Sequence, residues 1–136
     1  LLLKLKQNFW ADYYPLEEGN RNSQIVKTFK RQLEEHYREL SSGEVEKPFH
    51  VKDYAAAQSL STSYFNQVIK SKTGKPASAW IAEKSLGQAQ ALLKNSSLSI
   101  KEIAYRLGYR EIAHFSNFFR KHSGFSPSKY RTQHNR

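Results

Sequence analysis

Ser99-Ile-Lys-Glu-Ile-Ala104, then Leu107-Gly108-Tyr109, then His114-Phe-Ser-Asn-Phe-Phe-Arg120 and Gly124 form the stretch on which the fold of this chain turns. Ile100, Ile103, Ala104 and Leu107 recur at the spacing of one helical face. Gly108 suits a turn residue with positive φ, and Ala104 is small enough for two helices to cross closely. Phe115, Phe118 and Phe119 then line the face of a second helix, which Gly124 ends. The pattern occurs twice. Val51, Tyr54 and Ala55, a turn at Ser59-Leu60, a capping Ser61, then Phe65, Val68 and Ile69 and a closing Gly74 make the earlier copy. Val51 to Ile100 and Ala55 to Ala104 are 49 residues apart; Phe65 to Phe115, Ile69 to Phe119 and Gly74 to Gly124 are 50 apart. A one-residue insertion therefore falls in the second turn. Two helix-turn-helix units, over 50–74 and 99–124, are expected.

Between them, Ala77 to Asn95 reads as one helix with Trp80, Ile81, Leu86, Ala89, Leu92 and Leu93 on one face, and Gly87 weakens it without breaking it. About 18 residues make a rod of roughly 27 Å, of the order of one DNA turn, roughly 34 Å. Ahead of the units, Ile25, Phe29, Leu33, His36, Tyr37 and Leu40 mark a helix from about Asn22 to Leu40, with Asn22 or Ser23 as its cap and Ser41-Ser42-Gly43 as its end. Residues 1–20, rich in Leu and aromatics, read as a short helix and a turn. The fold class expected is all-α. An N-terminal helical linker or interaction segment spans 1–46, and the two units with their connecting helix span 47–136.

Charge divides at the same place. Residues 1–46 carry seven Lys/Arg and eight Asp/Glu, whereas 47–136 carry fifteen and four. The excess points to a polyanion partner for the C-terminal part only. No run approaches the roughly 20 apolar residues of a membrane span. The absence of cysteine removes disulfides, thiolate metal sites and a cysteine nucleophile, and suits a reducing compartment. The five histidines share no metal-ligand spacing, and no phosphate-binding loop or nucleophile motif occurs. Asp53 and Glu102 hold matching places at helix starts, which suits interaction with the helix dipole. The chain reads as no enzyme and as needing no cofactor. It starts with Leu and contains no Met, as a piece of a longer protein would.

Phe49 to Arg131, about 60% of the chain, resembles the DNA-binding domain of the AraC/XylS family. The second unit carries the resemblance through Ser99-Ile-Lys-Glu-Ile-Ala, Leu107-Gly108-Tyr109, Phe115-Ser116, Phe118-Phe119-Arg120-Lys121, Gly124 and Ser126-Pro127-Ser128-Lys129-Tyr130-Arg131. Ser61, Phe65, Ile69-Lys70 and Gly74 match in the first unit, and Leu86, Ala89 and Leu92-Leu93 in the connecting helix. The family commonly has Leu where Gln58 stands, Gly where Ser59 stands and Arg where Ser85 stands. Pro76 also follows Gly74 by two residues, whereas Pro127 follows Gly124 by three. The resemblance implies the output domain of a transcription regulator, an activator in most members. RNA polymerase is an implied partner, and residues 22–42 resemble the helix that joins a sensing or dimerising domain.

A reading helix meets base edges through outward residues near its N-terminus. With Phe65, Val68 and Ile69 inward, Ser63, Tyr64, Asn66 and Gln67 are the first unit's candidate base readers. Ala113, His114, Ser116 and Asn117 are the second unit's. The resemblance places base contacts at the same positions, apart from Tyr64, which suits a thymine methyl or a phosphate. Lys52, Ser61, Lys70, Ser99, Lys101, Arg120 and Lys121 are the phosphate candidates. No arginine stands at a base-reading position, so the sites should lean to A/T. Double-stranded DNA is the expected partner and the cytoplasm, at the nucleoid, the expected location. The competing reading is a helical interaction module that binds nucleic acid without sequence preference. Its aromatic face (Phe9, Trp10, Tyr13, Tyr14, Phe29, Tyr37) would serve a homodimer through 1–46, a missing sensor domain, or packing within the chain.

Overall fold

The computed structural model describes residues 20–44, 47 and 49–134, and among them lie seven helices and no strand. These are α1 (Arg21–Ser42), α2 (Val51–Ala57), α3 (Thr62–Thr73), α4 (Ala77–Asn95), α5 (Ile100–Arg106), α6 (Ile112–Ser123) and α7 (Pro127–His134). The fold is all-helical with two helix-turn-helix motifs, α2–α3 and α5–α6. Phe9, Trp10, Tyr13 and Tyr14 lie outside the described residues.

Among the described residues two compact units form, one from 20–34 with 49–81, the other from 35–44 and 47 with 82–134. The two longest helices, α1 and α4, each contribute to both. In the first unit, Phe29 of α1 meets Tyr54 of α2 edge-on at 5.2 Å and Phe65 of α3 edge-on at 5.3 Å. All three are fully buried, beside Ile25, Val26, Leu33, Ala55, Val68 and Ile69. Each such aromatic pair is worth about 1 kcal/mol beyond the area it removes from water.

The cap of α1 differs from expectation. The helix starts one residue earlier, and Asn20 Oδ1 accepts from the Asn22 N–H at 2.7 Å. Ser23 is fully buried instead, and its hydroxyl makes no hydrogen bond within the described residues. At the other end Gly43, at φ +86°, lets its own N–H reach Leu40 and that of Glu44 reach Glu39, which satisfies two final carbonyls.

In the second unit α5, α6 and α7 enclose Ile103, Ala104, Leu107, Phe115, Phe119 and Tyr130. Phe115 lies 5.4 Å from Tyr109, and Phe119 meets Tyr130 edge-on at 5.3 Å. Phe118, expected inward, is half-buried between Tyr109 and His122. Tyr37 and Leu40 of α1 join this core. Arg106 donates to the Ser41 carbonyl at 2.8 Å, and the Ser41 hydroxyl donates to Gln88 at 2.9 Å. Arg131 donates to the carbonyls of Leu93 and Ser96, closing the C-terminus of α4.

The buried residues of α4 are Ala77, Trp80, Ser85, Ala89 and Leu93; Ile81, Leu86 and Leu92 are only half-buried. Ser85 is buried among them, with its hydroxyl hydrogen-bonded to Tyr37 and Tyr109.

The two turns share one hydrogen-bond pattern. Ser59 N–H donates to Ala56 and Leu60 N–H to Ala55; Gly108 N–H donates to Tyr105 and Tyr109 N–H to Ala104. Ser59 adopts φ +59° where Gly108 adopts +91°. Register is therefore kept as far as Tyr109, and the inserted residue falls between Tyr109 and Glu111.

Burial pushes the Tyr37 hydroxyl up to about 12, against the hydrogen bond from Ser85. A folded-state value above the unfolded one means the folded chain holds the proton longer. Stability present below pH 10 is then lost between about pH 10 and 12, by roughly 2–3 kcal/mol from this residue. Urea unfolding at pH 9 and at pH 11.5 should show a smaller loss for Tyr37→Phe than for the parent; equal losses would contradict the assignment.

Candidate nucleic-acid interface

Each reading helix presents its exposed face because its core residues turn the opposite face inward. In α3, Ser61 is extended and its hydroxyl oxygen accepts from Tyr64 N–H at 3.2 Å. With Phe65, Val68 and Ile69 inward, Thr62, Ser63, Tyr64, Gln67 and Lys70 are exposed. Gly74, left-handed at φ +84°, stops the helix. Asn66 is different: it is half-buried, and its Oδ1 accepts from the Ala77 N–H at 2.9 Å, capping the first turn of α4. Tyr64 is 43% exposed, yet its hydroxyl donates to Asn22 Oδ1 at 3.2 Å.

In α6, Ala113, His114, Asn117, Arg120 and Lys121 are exposed and Ser116 is half-buried. Ile112 stands 41% exposed at the first position of the helix. Glu111 precedes it in extended conformation and makes no side-chain cap bond. Arg120 donates to Asn117 Oδ1 at 2.8 Å, which orients that carboxamide and leaves its NH₂ outward. Neither α3 nor α6 contains an acidic residue, and basic residues fill the last turn of each: Lys70 and Lys72 in α3, Arg120 and Lys121 in α6.

The supporting helices begin with reciprocal caps. Ser99 Oγ accepts from Glu102 N–H at 3.0 Å, and the Glu102 carboxylate accepts from Ser99 N–H at 2.9 Å. Hydrogen bonds from the Ser99 N–H and the Ser99 side chain hold the Glu102 carboxyl below its ordinary range. In the first unit, Asp53 takes the His50 N–H at 2.7 Å. The matching acids thus terminate helices. Lys52 and Lys101 are exposed in the first turns of α2 and α5, and Ser61 and Ser99 are exposed caps whose hydroxyl oxygens accept the N–H of Tyr64 and of Glu102.

Every candidate base or phosphate residue is therefore exposed apart from Asn66 and Ser116, which are half-buried. Each unit gathers its own set along one reading helix and the start of the helix before it. Sequence reasoning missed three pairings that support this surface. Asn22 touches Tyr64, Gln58 donates to the Ile25 carbonyl at 3.1 Å and holds α1 in the first unit, and Ala77 claims the side chain of Asn66. Periodicity identifies faces, whereas these are pairings between residues 11 to 42 apart in the chain. Among the described residues no helix is long and apolar enough to cross a membrane.

A family model described as a helix-turn-helix domain matches residues 54–133. A transcriptional activator of Cronobacter sakazakii, RhaR, is 31% identical over 86 residues, covering 63% of this chain and 30% of that protein. The C-terminal domain of AraT, a response regulator from Geobacillus stearothermophilus, superposes with a TM-score of 0.74 at 27% identity, over 86% of this chain and 91% of that one. The DNA-binding domain of AdpA, solved in complex with a target DNA, superposes with a TM-score of 0.65 at 28% identity, over 80% and 90%. The chain spans less than half the length of the curated relatives it matches first.

The capping role of Asn66 is measurable. Asn66→Ala should lower the unfolding free energy by about 1 kcal/mol, as loss of a helix cap does, whereas Gln67→Ala, one residue on and exposed, should change it by less than about 0.5 kcal/mol. Equal effects in urea titrations would remove the distinction.

Proposed function

The chain belongs to the AraC-type family of helix-turn-helix DNA-binding domains, and we propose that it is the output part of a transcription activator, one that reads a specific double-stranded site. The observation that carries this reading is the pairing of helices α3 and α6, each with a polar exposed face, a basic last turn and no acid. α3 presents Ser63, Tyr64 and Gln67 to base edges, and α6 presents Ala113, His114, Ser116 and Asn117. Asn66 keeps only its NH₂ for DNA, since its oxygen serves α4. Lys52, Ser61, Lys70, Ser99, Lys101, Arg120 and Lys121 hold the phosphates. The two reading helices take successive major grooves, a reading that rests on the repeat and the 19-residue connecting helix.

The remaining partners follow from the same role. RNA polymerase is contacted at the promoter, and a sensing or dimerising domain precedes α1. The protein works in the cytoplasm, on the nucleoid. A homodimer formed by the part of 1–46 that is described would need faces other than Phe29 and Tyr37, which are buried within the two units.

Mobility-shift titrations of duplexes selected from a random pool test the reading. The selected consensus should lean to A/T, and binding should weaken steeply between low and physiological salt, because Lys and Arg displace counterions. Asn117→Ala should cost roughly 1–3 kcal/mol on the selected site and little on random DNA. A G/C-rich consensus would overturn the base assignments, and equal binding to every duplex would overturn sequence-specific reading.

A further inference from the structure

We propose that Asn22, in the first turn of α1, fixes the hydrogen-bond polarity of Tyr64, so that α3 offers DNA an acceptor there and reads an amino-bearing base, adenine or cytosine. The proposal rests on the DNA-reading role of α3 given above.

Tyr64 is the third residue of α3, and its backbone is held by the bond from its N–H to Ser61 Oγ. Its hydroxyl has one proton, and that proton is directed at Asn22 Oδ1, 3.2 Å away. What remains for a ligand is oxygen lone pairs. The partner is anchored independently of Tyr64. Asn22 N–H is bound by Asn20 at 2.7 Å, Ser23, Ile25 and Val26 beside it are fully buried, and Gln58 grips the Ile25 carbonyl. The backbone that carries this acceptor is thus held by the cap and the core of the first unit.

The chemistry of the groove then selects. Phosphate oxygens, guanine N7 and O6 and thymine O4 are all acceptors, and a hydroxyl without a free proton gains nothing from them. Adenine N6 and cytosine N4 are donors and suit it. Sequence alone left Tyr64 as a contact to a thymine methyl or to phosphate; its bond to Asn22 turns it into a reader of exocyclic amines. Asn22 is a positioning residue, acting through Tyr64.

The test is base preference, since a purely structural role would change affinity or stability alone. A library randomised across the selected site is bound, recovered and sequenced with the parent chain, Asn22→Ala, Asn22→Asp and Tyr64→Phe. One position of the half-site read by α3 should favour A or C over G or T by about three- to tenfold in the parent, the scale of a single neutral hydrogen bond. Asn22→Ala and Tyr64→Phe should both flatten that position. Asn22→Asp, which can only accept, should keep it even if overall affinity falls. Preferences in the half-site read by α6 should stay unchanged in all four. The proposal is overturned by an Asn22→Ala or Tyr64→Phe profile like the parent's, or by an Asn22→Asp profile that is flat. Should Asn22→Ala fail to fold, the other two variants decide. A parent chain that selects no site at all overturns the DNA-reading role first, and is told apart by that.

Discussion

Phe29 holds the first helix-turn-helix unit together. A motif of two short helices buries too little apolar surface to persist alone, and α2 and α3 face each other across Tyr54 and Phe65 with a side left open. Phe29 fills it, meeting both rings edge-on. The second unit has the same need, and it is met by Tyr37 and Leu40 from the later turns of the same helix, together with α7 through Tyr130. The N-terminal helix is therefore structural in both units. That placement also explains why its apolar stripe runs unbroken from Ile25 to Leu40, longer than a contact with one unit would require.

The duplicated units solve one backbone problem with different side chains. Both turns use the same pair of hydrogen bonds, and both require a left-handed residue at the same place. The second has Gly108, preceded by the buried Leu107. The first has Ser59, at φ +59°, in the region that L-residues reach at a cost of roughly 1–2 kcal/mol. Gln58 precedes it and donates to the Ile25 carbonyl. A polar residue in place of the family's usual Leu thus exchanges apolar burial for a hydrogen bond to α1, and ties the first turn to the helix that completes its core. In the second unit the small Ser85 hydroxyl stands where the family commonly has Arg, and it serves the buried Tyr37 and the half-buried Tyr109.

The sequence made the helices, both turns, the cap at Ser61 and the stops at Gly74 and Gly124 legible, because each depends on residues within four or five positions of one another. The outward faces of α3 and α6 were legible for the same reason: once Phe65 and Phe115 are inward, the rest follows from 3.6 residues per turn. What escaped notice depends on contacts between distant parts of the chain. Ser23 looked like a cap until the core of the first unit claimed it. Asn66 looked free to read bases, but α4 starts beside it and needs an acceptor for the Ala77 amide. Tyr64 is plainly exposed, yet what its hydroxyl offers is decided by a residue 42 positions earlier. A helical face can be inferred from spacing; the polarity of the groups on that face cannot.

The central claim is that each reading helix, held by its aromatic core, occupies its own major groove. Hydroxyl-radical footprinting combined with guanine and adenine methylation interference on a selected site tests it most directly. Two patches of major-groove interference about 10 base pairs apart, one per unit, are predicted. A single patch, or uniform protection with no interference at any base, would contradict it.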